Sequence, residues 1–387
     1  MRTVPFPLAP ACLALLTAGL AGCAAVRPEA SVDTPSASVL LGEVREITSL
    51  EGLPAAKNHL VARLTASDDS GGALERRVIR TTADPALILP DSLAAMPYAK
   101  RQRTALAIIP GTRAGNQSGR DRTRECLAGA AEQSRAMGFA THFLQTEARG
   151  TIEQNADLVA GQMSAIFAES DAVIILMLSK GAHDVIHYLQ HGGAGLPAAH
   201  RRKLVAVISL AGTVQGSVVA DWLVTSPRPI AGMTRSWLTL SGQEDGLAML
   251  RSIGSSPWEA GPAAKMASLY PGLTWVSIAM VPDGPDGRIR ERLWSPFLRS
   301  RVEKCAPAYS PTDGLVESAA SVLPETVPVP EWIVAAYGSH AMPNGTYRDG
   351  SRIAPNTTEP GREKLEPETG GEVISAYLRA LPQSLLQ

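Results

Sequence analysis

Short, intensely apolar runs alternate along this chain with stretches whose apolar residues recur at helical spacing. Thr104–Ile109, closed by Pro110-Gly111, and Leu204–Leu210, ending at Ala211-Gly212, are continuous apolar segments of strand length. Asp171–Leu178 is the most apolar of all, and Phe139–Gln145, Ser236–Leu240, Leu273–Val281 and Glu331–Tyr337 are further strand candidates. Helical patterns fill the intervals: Arg122–Met137, ended by Gly138; Thr151–Ala168; Gly181–Gln190, stopped by His191-Gly192-Gly193; and a closing helix over Gly371–Ala380. Strands with no wet face, each followed by a helix, predict an α/β fold: a mostly parallel sheet with helices on both faces. Residues 40–100 are less regular and are expected to add an antiparallel edge. There is no internal repeat.

The first 22 residues stand outside this pattern. Arg2 precedes a small apolar stretch, Cys12 to Leu20, that is too short to span a bilayer as a helix. It ends in Leu20-Ala21-Gly22-Cys23, which resembles the lipobox of bacterial lipoproteins. That resemblance implies cleavage before Cys23 and lipidation of its thiol. Ala24, where an aspartate would retain the protein at the inner membrane, implies an outer-membrane location facing the periplasm. Residues 23–37 have the Pro/Ser/Ala bias of a tether, with an average reach of about 20 Å for about 14 coil residues. The division expected is therefore a signal peptide at 1–22, a lipidated tether at 23–37 and one folded domain at 38–387.

Composition narrows the partners. A net charge of −1 with no basic run argues against nucleic acid, and 45% hydrophobic residues suffice for an ordinary globular core. With Cys12 in the signal and Cys23 acylated, Cys126 and Cys305 remain, in a compartment that permits a disulfide between them. No Cys-x-x-Cys spacing calls for structural zinc.

The chemistry centres on Leu176-Met-Leu-Ser-Lys-Gly-Ala182. A buried strand stops at Ser179 and a helix begins at once, which sets the serine hydroxyl at the carboxyl edge of the sheet. The usual elbow is Gly-x-Ser-x-Gly. Only the second glycine, Gly181, is present, and Met177 stands at the first, so the elbow is expected to be slightly opened or the next helix set back. Ser179-Lys180-Gly181-Ala-His-Asp184 resembles the elbow of bacterial lipase-like α/β hydrolases. Three more segments follow in that family's order: Ile108-Ile-Pro-Gly-Thr112, the stretch Ser209 to Trp222, and Ser310-Pro-Thr-Asp-Gly-Leu-Val316. The last strand then empties into Gly338-Ser339-His340. The resemblance covers roughly residues 104–342 and implies Ser179 as nucleophile, His340 as base and Asp313 as the acid that orients it, with no cofactor. The backbone N–H of Lys180, with Gly111 or Thr112, would hold the oxyanion. Asp283 and Asp286 are the alternative acids. The Lys180 side chain is expected in solvent at the mouth of the site.

This pattern implies an esterase or lipase acting through an acyl-enzyme on a small-molecule or lipid ester. Two other readings fit the same chain. The helix presents His183, His187 and His191 at intervals of four, and His183-Asp184-x-x-His187 is one methylene short of the His-Glu-x-x-His zinc motif. A protein could also keep the fold and only bind, since fold does not establish turnover. The loops 212–235 and 241–272, with Trp222, Trp237 and Trp258, are the candidates for a lid or acyl pocket.

Overall fold

The computed structural model describes residues 38–84, 86–111, 122–147, 150–227, 231, 232, 235, 244–288, 310–338, 340 and 370–386. Among these residues six strands, β1 (Thr104–Ile109), β2 (Ala140–Phe143), β3 (Ala172–Leu178), β4 (Leu204–Leu210), β5 (Thr274–Val281) and β6 (Glu331–Tyr337), form one sheet in the order β2-β1-β3-β4-β5-β6. Every pairing is parallel. All residues of β1, β3 and β4 are buried, which is why they read as unbroken apolar runs. The Ser236–Leu240 candidate lies outside the described residues.

The two-residue alternation of each strand sorts its side chains onto two faces. Leu106, Ile108, Ile174, Leu176, Ile208 and Leu210 share one core with Leu74 and Val78 of α3 (Ala73–Ala83) and Tyr377 and Leu378 of α9 (Gly370–Ala380). On that face α4 (Arg122–Ala136) adds Ala130 and Ala131. On the other face Ala107, Ile109, Val173, Ile175 and Met177 meet Val159, Met163, Ile166 and Phe167 of α5 (Ile152–Glu169). Helix α6 (Gly181–His187) belongs to this face and runs on as a π-helical turn over Tyr188–Gly192, close to the expected end at Gln190.

Residues 39–83 correct the expected antiparallel edge. They form α1 (Val39–Glu51), α2 (Leu53–Ser67) and α3. The buried residues Leu40, Leu41 and Val44, and then Ala56, Leu60 and Leu64, recur at helical spacing and cover Ala279, Val281, Ile333 and Ala335 at the β5–β6 end. Fully burying each such Leu or Val is worth roughly 1.5–3 kcal/mol, so tertiary packing rather than propensity holds these short helices. Breaks at Gly52 and Gly71-Gly72 cut the periodicity into pieces that look irregular when read in sequence.

The strand order reverses between β1 and β3. β2 lies on one side of β1, and β3 with all later strands lies on the other. Chains leaving such neighbours diverge and open a crevice at the carboxyl ends of the strands. Gly111 and Ser179 stand at that crevice. No described helix is long and apolar enough to cross a membrane.

Candidate active site

Ser179 follows β3 with φ 53°, in the left-handed region, where a non-glycine residue costs roughly 1–2 kcal/mol. Neighbouring backbone holds it there. Ser179 N–H donates to Leu210 O at 3.2 Å, while Ser179 O accepts from Ala182 N at 3.0 Å and Thr213 N at 3.2 Å. The end of β4 therefore braces the turn from the side. Met177 does not disturb it: its side chain is wholly buried in the same core as Ile109, Ala182 and Val207.

Two glycines let the crevice close. A Cβ on Gly111 would sit 3.0 Å from Ser179 Cβ and 3.1 Å from Leu178 O. A Cβ on Gly181 would sit 2.7 Å from Pro110 O and 3.0 Å from Ile109 O. Helix α6 is thus pressed against the exit of β1, not set back as the missing first glycine implied. The Gly181→Ala variant is expected to lose roughly 1–3 kcal/mol of stability from this overpacking, measured by urea unfolding. Unchanged stability would mean that α6 can move away at no cost.

Three side chains distant in sequence meet at Ser179. His340, just past β6, has Nε2 2.8 Å from Ser179 Oγ and Nδ1 2.8 Å from Asp313 Oδ2. A carboxylate only accepts, so Nδ1 carries the proton and Nε2 is left to accept from the serine hydroxyl. Asp313 is itself fixed: its Oδ1 accepts from the N–H groups of Leu315 at 2.9 Å and Val316 at 2.8 Å. His340 N–H also donates to Asp313 O at 2.9 Å. Asp313 and His340 are buried, and Ser179 is half-buried. Of the three candidate acids, Asp313 is the one hydrogen-bonded to His340; Asp286 instead accepts from the Arg288 N–H in the turn after β5.

The side chain of Lys180 does not face solvent. It is 1% exposed and its Nζ lies 2.8 Å and 2.9 Å from the two oxygens of Asp184, one helical turn on. A lone buried ammonium would be far too costly, and the i, i+4 carboxylate compensates it. Asn155 of α5 donates to Asp184 Oδ2 at 3.2 Å and to Glu147 O at 2.9 Å, tying the pair to the neighbouring loop. Burial pushes the Asp184 carboxyl up to about 6 against the pull of Lys180.

The zinc reading fails on the same helix. His183 is buried with both ring nitrogens engaged: Nε2 lies 3.0 Å from Ser255 O and Nδ1 2.7 Å from Thr213 Oγ1. The carbonyl accepts, so Nε2 carries the proton and Thr213 donates to Nδ1. Burial holds this imidazole down to about 4, hence neutral. Asp184 is committed to Lys180, and His191 to Glu259 at 2.9 Å. Among the described residues no group of three or more His, Cys, Asp or Glu could hold a metal ion.

Other expectations divide. Thr112, Trp237, Cys23 and Cys305 lie outside the described residues, and nothing is described of the Cys126 side chain on α4. Within the proposed lid loops, α7 (Val218–Thr225) and α8 (Glu244–Gly254) share a small core of Ala220, Met249 and Ile253 with Ile152. Trp222 packs with Ala231. Trp258 instead tilts against Trp275, at 5.9 Å between centroids, in the core at the start of β5. It is partly buried and packs against that core. Thr213, which braces the elbow, and Asn155, which holds Asp184, carried no sequence signal. The Lys180–Asp184 pair did, through its spacing of four.

An all-parallel sheet with this switch point and a left-handed serine at its carboxyl edge defines an α/β-hydrolase fold. No protein-family model matches the chain, and no curated protein matches it in sequence. Among solved structures, the chain is similar to a metagenomic carboxyl esterase at 19% identity, over 72% of this chain and 75% of that one, with a TM-score of 0.42. It is similar to the mature form of a Bacillus licheniformis lipase at 13% identity, over 65% and 87%, with a TM-score of 0.37. Phospholipase PlaB from Legionella pneumophila matches at 14% identity, over 56% and 45%, with a TM-score of 0.35. Likeness this distant transfers no chemistry to this chain.

Proposed function

We propose that this chain is a serine hydrolase that cleaves acyl esters through an acyl-enzyme on Ser179. The observation that carries the reading is the continuous relay from Ser179 Oγ through His340 to Asp313, with both hydrogen bonds at 2.8 Å. A serine hydroxyl is a weak nucleophile unless a base takes its proton during attack. His340 Nε2 is the base, and Asp313 holds the productive tautomer and stabilises the imidazolium. As Ser179 Oγ bonds to the ester carbon, the carbonyl electron pair moves to oxygen. The N–H of Lys180 and that of Gly111 or Thr112 hold the resulting oxyanion. When the oxyanion collapses, the C–O bond to the alcohol breaks and His340 returns its proton to the departing oxygen. Water, deprotonated by His340, then attacks the acyl-serine and releases the carboxylic acid.

Full-length protein in detergent, offered acyl esters of increasing chain length, tests this reading. Turnover with fluorophosphonate labelling at Ser179 is expected. No turnover at any chain length, with no labelling, would leave a binding role.

In this reading Cys23 carries the lipid that holds the domain at the outer membrane, facing the periplasm. The tether keeps Ser179 near a leaflet, so envelope lipids or periplasmic esters are the natural substrates. Two or more acyl chains, at about 0.8 kcal/mol per buried CH₂, hold firmly. Cys23→Ala is expected to lose incorporation of an alkyne fatty acid and to leave the membrane fraction. An unchanged distribution would rule out the anchor.

A further inference from the structure

Asp313 sits on a tight turn whose base is closed by a second carboxylate. Thr312 and Glu317 form an antiparallel bridge, and Asp313 N–H donates to Val316 O at 3.0 Å inside it. Glu317 is 1% exposed. Its Oε1 accepts from Ser310 Oγ at 2.8 Å, so it joins the two ends of the segment that carries Asp313. Two buried carboxylates thus share one small turn. His340 faces Asp313. The charge facing Glu317 comes from far away in sequence.

That charge is Arg45 on α1. Its Nε lies 3.0 Å from Glu317 Oε1 and its Nη2 2.5 Å from Oε2, a two-point grip that fixes the carboxylate plane. The same helix is fastened again at its start, where Glu325 Oε2 and Oε1 accept the N–H groups of Val39 at 3.1 Å and Leu40 at 3.0 Å. Apolar packing joins the two parts as well, because Val316, between Asp313 and Glu317, shares the core of Leu40, Leu41 and Val44. Arg45 touches neither Ser179 nor His340 nor Asp313 in any of these contacts.

We infer that Arg45 is a positioning residue for Asp313, acting through Glu317, and that the docking of α1 holds the acid in line with His340. The inference rests on the hydrolase reading. Its physical basis is the cost of leaving a buried carboxylate without its counter-charge. Without Arg45, Glu317 must turn towards water. The Thr312–Glu317 bridge then opens, and with it the Leu315 and Val316 N–H groups that aim Asp313. Since α1 begins directly after the proposed tether, the first folded element behind the lipid also aligns the reacting side chains.

The test reads the His340–Asp313 hydrogen bond without substrate, as a far-downfield proton resonance of the full-length protein in detergent. It also measures the rate at which a fluorophosphonate labels Ser179. Arg45→Ala is expected to shift or abolish the resonance and to slow labelling by about tenfold to a hundredfold, the range for a misplaced reacting group. Arg45→Lys, which keeps charge but not the two-point grip, should fall between. Added methylguanidinium should restore part of the loss in Arg45→Ala, which a general loosening of the fold would not allow. Glu317→Gln keeps the shape of the turn and provides the same reading if Arg45→Ala does not fold. An unchanged resonance and labelling rate in Arg45→Ala, or in Glu317→Gln where that variant stands in, overturns the inference. So does a wild-type protein without the resonance. A wild-type resonance with no labelling sinks the hydrolase reading instead, and the resonance of the variants still decides the role of Arg45.

Discussion

Ser179→Ala is expected to reduce ester turnover by about 10⁴- to 10⁶-fold, and His340→Gln by a similar factor, because nucleophile and base act as one unit. The size follows from the geometry. Ser179 Oγ and His340 Nε2 are already at hydrogen-bonding distance, so either loss removes the same proton transfer. Asp313→Asn should cost about 10⁴ in kcat. An amide in place of Oδ2 can present a donor to Nδ1 and so favour the wrong tautomer of the ring. Steady-state kinetics on one ester, with near-UV circular dichroism to verify the fold, measures all three. The idea is lost if Ser179→Ala keeps turnover within tenfold of wild type, for then another group does the chemistry. Asp283→Asn and Asp286→Asn serve as controls and should change kcat little.

The second large effect concerns stability. Asp184→Leu is expected to cost about 3–5 kcal/mol, the range for breaking a buried ion pair by removing one partner. It strands the Lys180 ammonium in a site where both side chains are almost fully buried. Lys180→Met combined with Asp184→Leu should recover most of the loss, since no charge then remains to desolvate. Urea unfolding of the two single variants and the double variant gives the coupling directly. Additive losses would mean that the pair is not a unit.

The pH dependence has a definite sign. The folded Asp184 carboxyl is raised to about 6 from 3.8, chiefly by burial. Its contribution to stability is therefore fully present below the unfolded value and is lost as pH rises through about 6. His183 works the other way. Burial lowers it to about 4 from 6.5, so its contribution is present above 6.5 and is lost as pH falls through about 4. In the wild type the two oppose each other between these limits. Asp184→Asn removes the opposing Asp184 contribution and leaves that of His183, so the stability of that variant should fall more steeply on acidification than that of the wild type. Parallel profiles would contradict both assignments.

Much of this molecule could be read locally. The strands of a parallel sheet are buried on both faces, so their apolar runs stand out whatever surrounds them. The runs at 104–109, 171–178, 204–210, 273–281 and 331–337 are strands within a residue or two of those limits. A strand that stops at Ser179 and turns at once into a helix also marks the elbow, because the chain must reverse there. The order Ser179, an acid, His340 can also be read in the sequence, with Asp313 as the acid and Asp283 and Asp286 left open as alternatives. The hydrogen bonds that join them span 161 and 27 residues, and only folding creates them.

What the sequence misdirects is the fate of charge and of interrupted periodicity. A lysine right after Ser179 reads as a solvent-facing cation, yet Lys180 is buried because Asp184, itself held by Asn155, meets it there. His183-Asp184-x-x-His187 reads as metal ligands, but Ser255 and Thr213 claim both nitrogens of His183. Glycine breaks disguise helices α1 to α3, whose apolar stripes become evident only against β5 and β6. By itself, then, the sequence determined the strands, the elbow and the residue types of the relay, because these depend on local pattern and chain order. The tertiary structure alone decided which acid faces His340, that Lys180 turns inward, and that Arg45 reaches Glu317 across 272 residues. A partner as far off as Glu317 is from Arg45 leaves no local trace, and even for Lys180, whose partner Asp184 lies one turn on, burial comes only once the surrounding surfaces have met.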